Sequence, residues 1–280
     1  MKKLIILLLA LLGILIGCSH EEILEYNMFY RYENNEYIDI NFYKNGSEEN
    51  ANDILCLIDY WNTMLDHEHV NDTKNNLAAL NVNKYATLDA KLVELIEYTI
   101  DLSTSYKVVN PLYGTLKDLW DLHMITEELP TENECLTQIE VSLSTRVAIN
   151  DNDVHLLGDG LIDLDYIKKG FIGEKIKEYL ISKGIDRYVI NYNADLVLYG
   201  KNKNGGSFET SFYGMKNGTY NLSDITLARV TADNNCFYTK DGRRWADIPS
   251  FVTGVPNDTF ETLFVLGDDA LKNSILAYAY

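Results

Sequence analysis

Apolar and polar positions alternate through Tyr37-Ile38-Asp39-Ile40-Asn41-Phe42-Tyr43, the period of a half-buried strand, and Asn45-Gly46 follows as a turn. From Ala51 to Asp66 the period changes. Ile54, Leu55, Ile58, Trp61, Met64 and Leu65 share one face of a helix, with Asn52 or Asp53 as its cap. Asp72 to Lys84 is polar and reads as a loop. Thr87-Leu88-Asp89 opens a second helix, whose stripe is Leu92, Leu95, Ile96, Thr99, Ile100 and Ser103; Asn110-Pro111 then breaks the chain. Leu116 to Leu122 forms one or two helical turns around Trp120. Val154 to Leu157, a Gly158-Asp159-Gly160 turn and Leu161 to Leu164 predict a β-hairpin. Lys168 to Ser182 is a helix closed by Lys183-Gly184. Tyr188 to Tyr192, Leu196 to Tyr199 and Thr262 to Leu266 are strands, and Ala270 to Tyr280 a final helix. Strands mixed with helices, without repeats, make an α+β domain.

The N-terminus stands apart from this pattern. Lys2 and Lys3 precede an apolar run from Leu4 to Ile16, shorter than the roughly 20 residues of a membrane span. The run ends in Gly17-Cys18-Ser19, which looks like a bacterial lipobox. Residues 1–17 are therefore expected to be a lipoprotein signal peptide, Cys18 the lipidated first residue of the mature chain, 18–28 a tether and 29–280 the folded domain. The expected location is the outer side of the cell membrane, held by the lipid anchor. The alternatives are an ordinary signal peptide with a coincidental cysteine, or an uncleaved anchor.

A formal net charge of −18 repels phosphate backbones and argues against nucleic-acid binding, though not against a nucleotide in a local pocket. Cys56, Cys135 and Cys236 are widely spaced, with no metal-binding pattern. They read as buried thiols, with one disulfide as the alternative.

The densest polar cluster is Ile162-Asp163-Leu164-Asp165-Tyr166-Ile167-Lys168-Lys169-Gly170-Phe171. A strand there feeds a helix whose first turn carries two lysines. It is either a cradle for a pyrophosphate or a capped helix with solvated lysines. Asp66-His67-Glu68-His69 places its histidines two apart, on different faces, and reads as a solvated turn rather than a metal site. Trp61 and Trp120 read as core or pocket lining.

Taken in order, these segments resemble the ApbE-type flavin transferases, the FAD:protein FMN transferases, over roughly Phe29 to Tyr280. Leu77 to Asn81 (LAALN) is similar to that family's segment ending in Leu-Asn. Tyr106 to Trp120 is similar to its GxFDPTxGPLxxLW block, Ile162 to Gly170 to IDLGGIAKG, and Val189 to Asp195 to LVNLGGD. Val230-Thr231 fits the start of VTSG, and Asp247 to Pro256 fits HIIDPxTGxP. The resemblance implies a modified T-fold-like domain of mixed and antiparallel sheets with packed helices. It also implies FAD as substrate, Mg2+ as cofactor, and an exported flavoprotein whose Thr or Ser hydroxyl receives FMN. The positions it implies for cofactor binding are Asp163, Lys169, Gly170, Asn193, Asp195, Thr231, Thr253 and Gly254.

The departures fall where the chemistry should be. Asp165 and Tyr166 stand for the two glycines of LGGIAKG, and Asn193-Ala194 for the pair before Asp195. Asp247 stands for the catalytic histidine; a carboxylate with an ordinary pKa near 4 is a poorly matched base at neutral pH. The metal positions become Lys168, through its backbone oxygen, Asn273 and Ala277. The sequence stops at Tyr280, inside the expected last helix, and a truncated C-terminus is expected. The resemblance with these changes predicts an impaired flavin transferase. The alternatives are a catalytically silent flavin- or protein-binding lipoprotein on the same fold, and the product of a decaying gene.

Overall fold

The structure is a computed structural model that describes residues 26–32, 35–105, 110–212, 218–231, 236–246, 250–256 and 261–279. Cys18 and Asp247 lie outside the described residues, as do the expected signal peptide and most of the tether. Strand β1 (Tyr26–Arg31) begins inside the segment expected as tether and pairs antiparallel with β2 (Tyr37–Lys44). Ile38, Ile40 and Phe42 of β2 are fully buried while their neighbours are only partly so, the two-residue period seen in the sequence.

Helix α1 (Glu48–Met64) starts earlier than expected. Ser47 and Asn50 close a capping box, so the cap is Ser47 and not Asn52 or Asp53. Helix α2 (Leu77–Asn83) occupies part of the region read as a loop. The Asn76 side chain accepts from the Ala79 N–H at 3.0 Å, and Lys84 ends the helix in the left-handed region. A short apolar stretch between polar residues hid this helix, because one buried turn does not establish a period.

Strand β3 (Tyr85–Thr87) leads into α3 (Ala90–Ser105), which buries Leu92, Leu95, Ile96 and Thr99 as the stripe predicts. Helix α4 (Gly114–Thr126) extends beyond the predicted turns. Helix α5 (Glu132–Ser144) had no predicted counterpart; a Thr131–Glu134 capping box starts it.

The predicted hairpin is displaced. Strand β4 (Arg146–Asn150) pairs with β5 (Asp153–Leu157), and β3 joins on the other side of β5. Leu161 to Leu164 is not a strand. Its backbone is held from elsewhere: Gly160 N–H by Thr145 Oγ1, Ile162 by the Asn81 side chain and Asp163 N–H by the Pro111 carbonyl. With these partners the segment needs no sheet.

Helix α6 (Asp165–Ser182) ends at Lys183, with Gly184 in the left-handed region. Strands β6 (Arg187–Tyr192) and β7 (Leu196–Tyr199) follow as predicted. Strands β8 (Phe208–Thr210) and β9 (Tyr220–Leu222) form a small hairpin. Strand β10 (Ile225–Thr231) returns to the main sheet, β11 (Cys236–Tyr238) pairs with β12 (Arg244–Ala246), and β13 (Thr262–Gly267) precedes α7 (Ala270–Ala279). The main sheet runs β1-β2-β6-β7-β10-β13 with every neighbour antiparallel.

Helix α6 lies at the centre of the core, between α1, α7 and the sheet. Ile167, Ile172, Ile176 and Leu180 of α6, Ile54 and Ile58 of α1, and Leu196 and Leu198 of β7 are buried together. A Cβ on Gly170 would fall 2.7 Å from the Ala270 carbonyl oxygen, so that glycine sets how closely α6 and α7 pack. A second core joins α4, α5 and β11 through Leu116, Trp120, Cys135 and Phe237. Of the thiols read as buried, Cys135 is buried and Cys56 lies on the surface, on the outer side of α1. Among the described residues, no helix is long and apolar enough to cross a membrane.

Candidate functional site

Three sequence blocks converge where α6 begins. The Asn81 amide donates to the Ile162 carbonyl at 2.9 Å and accepts from the Ile162 N–H at 2.8 Å. Asp163 N–H donates to the Pro111 carbonyl at 2.9 Å, and Gly114 N–H to the Leu161 carbonyl at 3.1 Å. A Cβ on Gly114 would fall 2.8 Å from the Leu161 Cβ, so the glycine permits this approach. LAALN, Asn110 to Trp120 and Ile162 to Gly170 are thus neighbours in space.

Asp163 sits at the centre of the junction and is fully buried. Its Oδ1 accepts from the Asp165 N–H at 2.7 Å and so caps α6; its Oδ2 has no hydrogen-bond partner. Facing that oxygen is His67. Nε2 of His67 lies 3.8 Å from Asp163 Oδ2, and Nδ1 lies 3.8 Å from Asp165 Oδ2. The His67 side chain is 7% exposed, and its Nε2 also lacks a hydrogen-bond partner. This corrects the reading of Asp66 to His69 as a solvated turn. His69 is solvent-exposed, but His67 points inward, because the Asn76 amide holds the Thr63 and His69 carbonyls and folds the loop back.

Burial, with Asp165 beside it, pushes the Asp163 carboxyl up to about 6, although His67 and Lys117 work the other way. Burial also acts to raise the Asp165 carboxyl, but Lys168, His67 and Lys117 together hold it below the usual carboxylate range. Two carboxyls in one junction are thereby driven apart. Burial and the Asp163 charge raise the Tyr166 hydroxyl as well. The Tyr166 ring stands at a position to which the sequence resemblance assigns glycine. It packs edge-on against Tyr113 and Phe251, with centroids 5.7 and 5.9 Å away.

A second charged group adjoins along α6. Lys169 Nζ meets Asp195 Oδ2 at 2.7 Å and Glu36 Oε1 at 2.8 Å. Arg229 reaches Asp195 Oδ1 at 3.3 Å, and Asn193 donates to Asp195 Oδ2 at 3.2 Å. Burial disfavours the Lys169 ammonium, but Asp195 and Glu36 more than compensate and raise its pKa. Lys168 Nζ likewise meets Asp165 Oδ1 at 2.7 Å. Neither lysine is the solvated cation of one expectation, and neither is free for the pyrophosphate of the other. An anion binding here competes with carboxylates already in place.

Asn193 and Ala194, in place of the glycine pair, both take left-handed backbone, with φ of 55° and 57°. The remaining expected positions are held by the fold. Gly170 packs on α7. Thr231 is buried and donates to the Glu261 carbonyl. Thr253 is exposed and bonds within its own turn. Gly254, left-handed at φ 72°, accepts from Trp120 Nε1 at 2.8 Å, and a Cβ there would fall 2.8 Å from that of Cys135.

The side chains at the implied metal positions 273 and 277 are taken up by the fold. The Asn273 amide nitrogen donates to Thr226 Oγ1 at 2.7 Å and to the Thr226 and Gly267 carbonyls at 3.2 Å. Asn273 therefore ties α7 to β10 and β13. Ala277 is buried and offers no side-chain oxygen. Magnesium takes oxygen ligands in near-octahedral order, and this pair does not fit it. Among the described residues, the group with metal-ligand chemistry is His67, Asp163 and Asp165, whose ligand atoms lie within 4.8 Å of one another. The sequence contained Asp163 as a candidate. His67 reads from the sequence as part of a solvated turn, because its partners lie nearly a hundred residues downstream.

The sequence model of the ApbE family matches residues 37–280. No curated protein matches significantly. Among solved structures, the chain is similar to the apo form of the flavinyl transferase ApbE of Pseudomonas stutzeri, at 12% identity and a TM-score of 0.75, covering 91% of this chain and 84% of that one. It is similar to the ApbE protein of Thermotoga maritima at 16% identity and a TM-score of 0.76, covering 91% and 86%. It is also similar to the flavin transferase ApbE of Vibrio cholerae at 16% and 0.70, covering 91% and 86%. At such identities the structural likeness speaks to the fold.

Proposed function

The chain belongs to the ApbE family, and from that premise we propose that it is an FAD-handling flavin transferase whose transfer step is strongly impaired. The reaction class breaks the pyrophosphate bond of FAD. It joins the FMN phosphorus to a Thr or Ser oxygen of an exported protein and releases AMP, while the hydroxyl proton leaves to a base. The observation that carries the impairment is Asn273: its amide is engaged by Thr226 and Gly267, and Ala277 one turn on is apolar. Such a pair gives magnesium no second side-chain oxygen. Lys169 is tied to Asp195 and Glu36 and would have to give up those carboxylates to meet a phosphate. The Cys18 lipid is proposed to hold the domain outside the cell membrane, where exported acceptors are found.

A catalytically silent flavin- or protein-binding lipoprotein is the second reading. It is favoured by Tyr166, whose ring fills a position that the resemblance assigns to glycine. One experiment separates the two. The full chain is incubated with FAD and Mg2+, and FMN and AMP are followed by chromatography, with and without EDTA. Slow, EDTA-sensitive release of both, with water taking the place of the absent acceptor hydroxyl at the FMN phosphorus, supports the transferase. Retained flavin without release supports the silent binder. Neither retention nor release sinks every flavin-based reading. Cell fractionation with Cys18→Ala tests the anchor: release from the membrane fraction is expected.

A further inference from the structure

We propose that His67, Asp163 and Asp165 bind one divalent transition-metal ion, of the zinc class, at a position separate from the magnesium position the family resemblance implies. An acidic cluster alone would not carry this. What carries it is that two buried groups are turned into the cluster without a partner. Asp163 Oδ2 and His67 Nε2 are both buried, neither has a hydrogen bond, and they face each other across 3.8 Å. That gap is too long for a hydrogen bond. Two bonds of about 2.0–2.1 Å at a tetrahedral angle set ligand atoms about 3.3–3.4 Å apart, so a movement of a few tenths of an ångström closes this pair on an ion, and Asp165 must turn further to join it.

Each carboxylate has one oxygen anchored and the other available. Asp163 Oδ1 is fixed by the Asp165 N–H, and Asp165 Oδ1 by Lys168 Nζ; Asp163 Oδ2 faces His67 Nε2, Asp165 Oδ2 lies on the Nδ1 side of the same ring, and the three ligand atoms stay within 4.8 Å of one another. Such anchoring orients ligands before an ion arrives. Glu68 Oε1 lies 3.8 Å from His67 Nε2 and can supply a fourth donor from the solvent side. One nitrogen and two or three carboxylate oxygens suit zinc, manganese or iron better than magnesium, which prefers oxygen and retains water. The neighbouring lysines do not block the site: Lys168 is bonded to the other oxygen of Asp165, and Lys117 is paired with Asp121. The competing arrangement is metal-free, with the imidazole packed between the two carboxylates.

This inference stands whether or not the chain processes FAD. The full chain, stripped with EDTA, is titrated with zinc and separately with magnesium, and melting temperature, calorimetry and metal content after gel filtration are read. Expected are one zinc per chain, a rise in melting temperature of several degrees, and no rise with magnesium at the same concentration. His67→Ala should abolish binding, Asp165→Gly should weaken it at least tenfold, and His69→Ala should leave it unchanged. Asp165 is partly exposed, so its variant carries the test if His67→Ala fails to fold; cobalt(II) absorbance in wild type and Asp165→Gly gives a second reading. No bound zinc in the wild type overturns the proposal. So does zinc retained at full affinity by folded His67→Ala or Asp165→Gly.

Discussion

Asn81 and Ile162 exchange two hydrogen bonds, side-chain amide to backbone carbonyl and backbone N–H to amide oxygen, both fully inside the protein. The pair replaces the ladder that Ile162 would have had in a strand, and it sets where Asp163 begins. Asn81→Ala leaves both backbone groups of Ile162 buried without partners, at about 1–3 kcal/mol for each group removed from its bond. A loss of about 2–4 kcal/mol in urea denaturation is expected, against about 1 kcal/mol or less for truncating the exposed Asn75 nearby.

The two asparagines show how far the sequence could be read. LAALN was visible as a motif, but its polar surroundings concealed a helix, and nothing in one chain indicated that Asn81 reaches Ile162. Periodic segments such as α3, α6 and the β6–β7 pair were legible because one face is buried along their length. Residues 158–164 were not legible, because groups from three distant segments, the Asn81 and Thr145 side chains and the Pro111 carbonyl, satisfy their backbone. His67 was discounted on local spacing, and only the Asn76 clamp explains why it faces inward.

The Asp163 carboxyl makes stability depend on pH in an unusual direction. Its folded value near 6 lies above its unfolded value. The folded state therefore binds the extra proton, and stability falls as pH rises from about 4 through 6. Asp163→Asn keeps an oxygen for the Asp165 N–H and removes the buried charge. In EDTA, the variant should melt above the wild type at pH 7–8, and the difference should vanish near pH 4. A variant less stable than the wild type at pH 8 would contradict this account.

Ala194 is an alanine held at φ 57° beside Asn193, which tolerates that region better. Ala194→Gly removes strain of about 1–2 kcal/mol and adds some unfolded-state entropy. A net gain of about 0.5–1 kcal/mol is expected by chemical denaturation. Ala194→Val at the same place should lose more than that.

Lys169 joins Glu36, before β2, to Asp195, after β6. Lys169→Met keeps the stem and removes the charge, leaving two carboxylates close together, with Arg229 still on Asp195. A cost of about 1–3 kcal/mol follows, since the pairs are only partly buried. High salt should reduce the difference between the two proteins, because the remaining carboxylates are partly solvated. If Lys169 also meets the FAD phosphates, flavin retention falls in the same variant while Asp224→Asn, remote on the β9–β10 turn, leaves it unchanged.

Asn273 tests whether restoring one family residue restores chemistry. Asn273→Asp replaces an amide donor by a carboxylate that faces the Thr226 and Gly267 carbonyls, both acceptors. The two carbonyls then face a carboxylate with no proton between them, only the Thr226 hydroxyl can turn to donate, and the substitution should cost about 2–4 kcal/mol in EDTA. Adding magnesium offsets that loss only if an ion can reach the new carboxylate and draw it away from the strands. With Ala277 offering no second ligand, the melting temperature of Asn273→Asp is expected to stay low in millimolar magnesium, and FMN release from FAD should not rise. Recovery of both by magnesium would mean that the Asn273 side chain can leave β10 and β13, and that the impairment lies in this one residue.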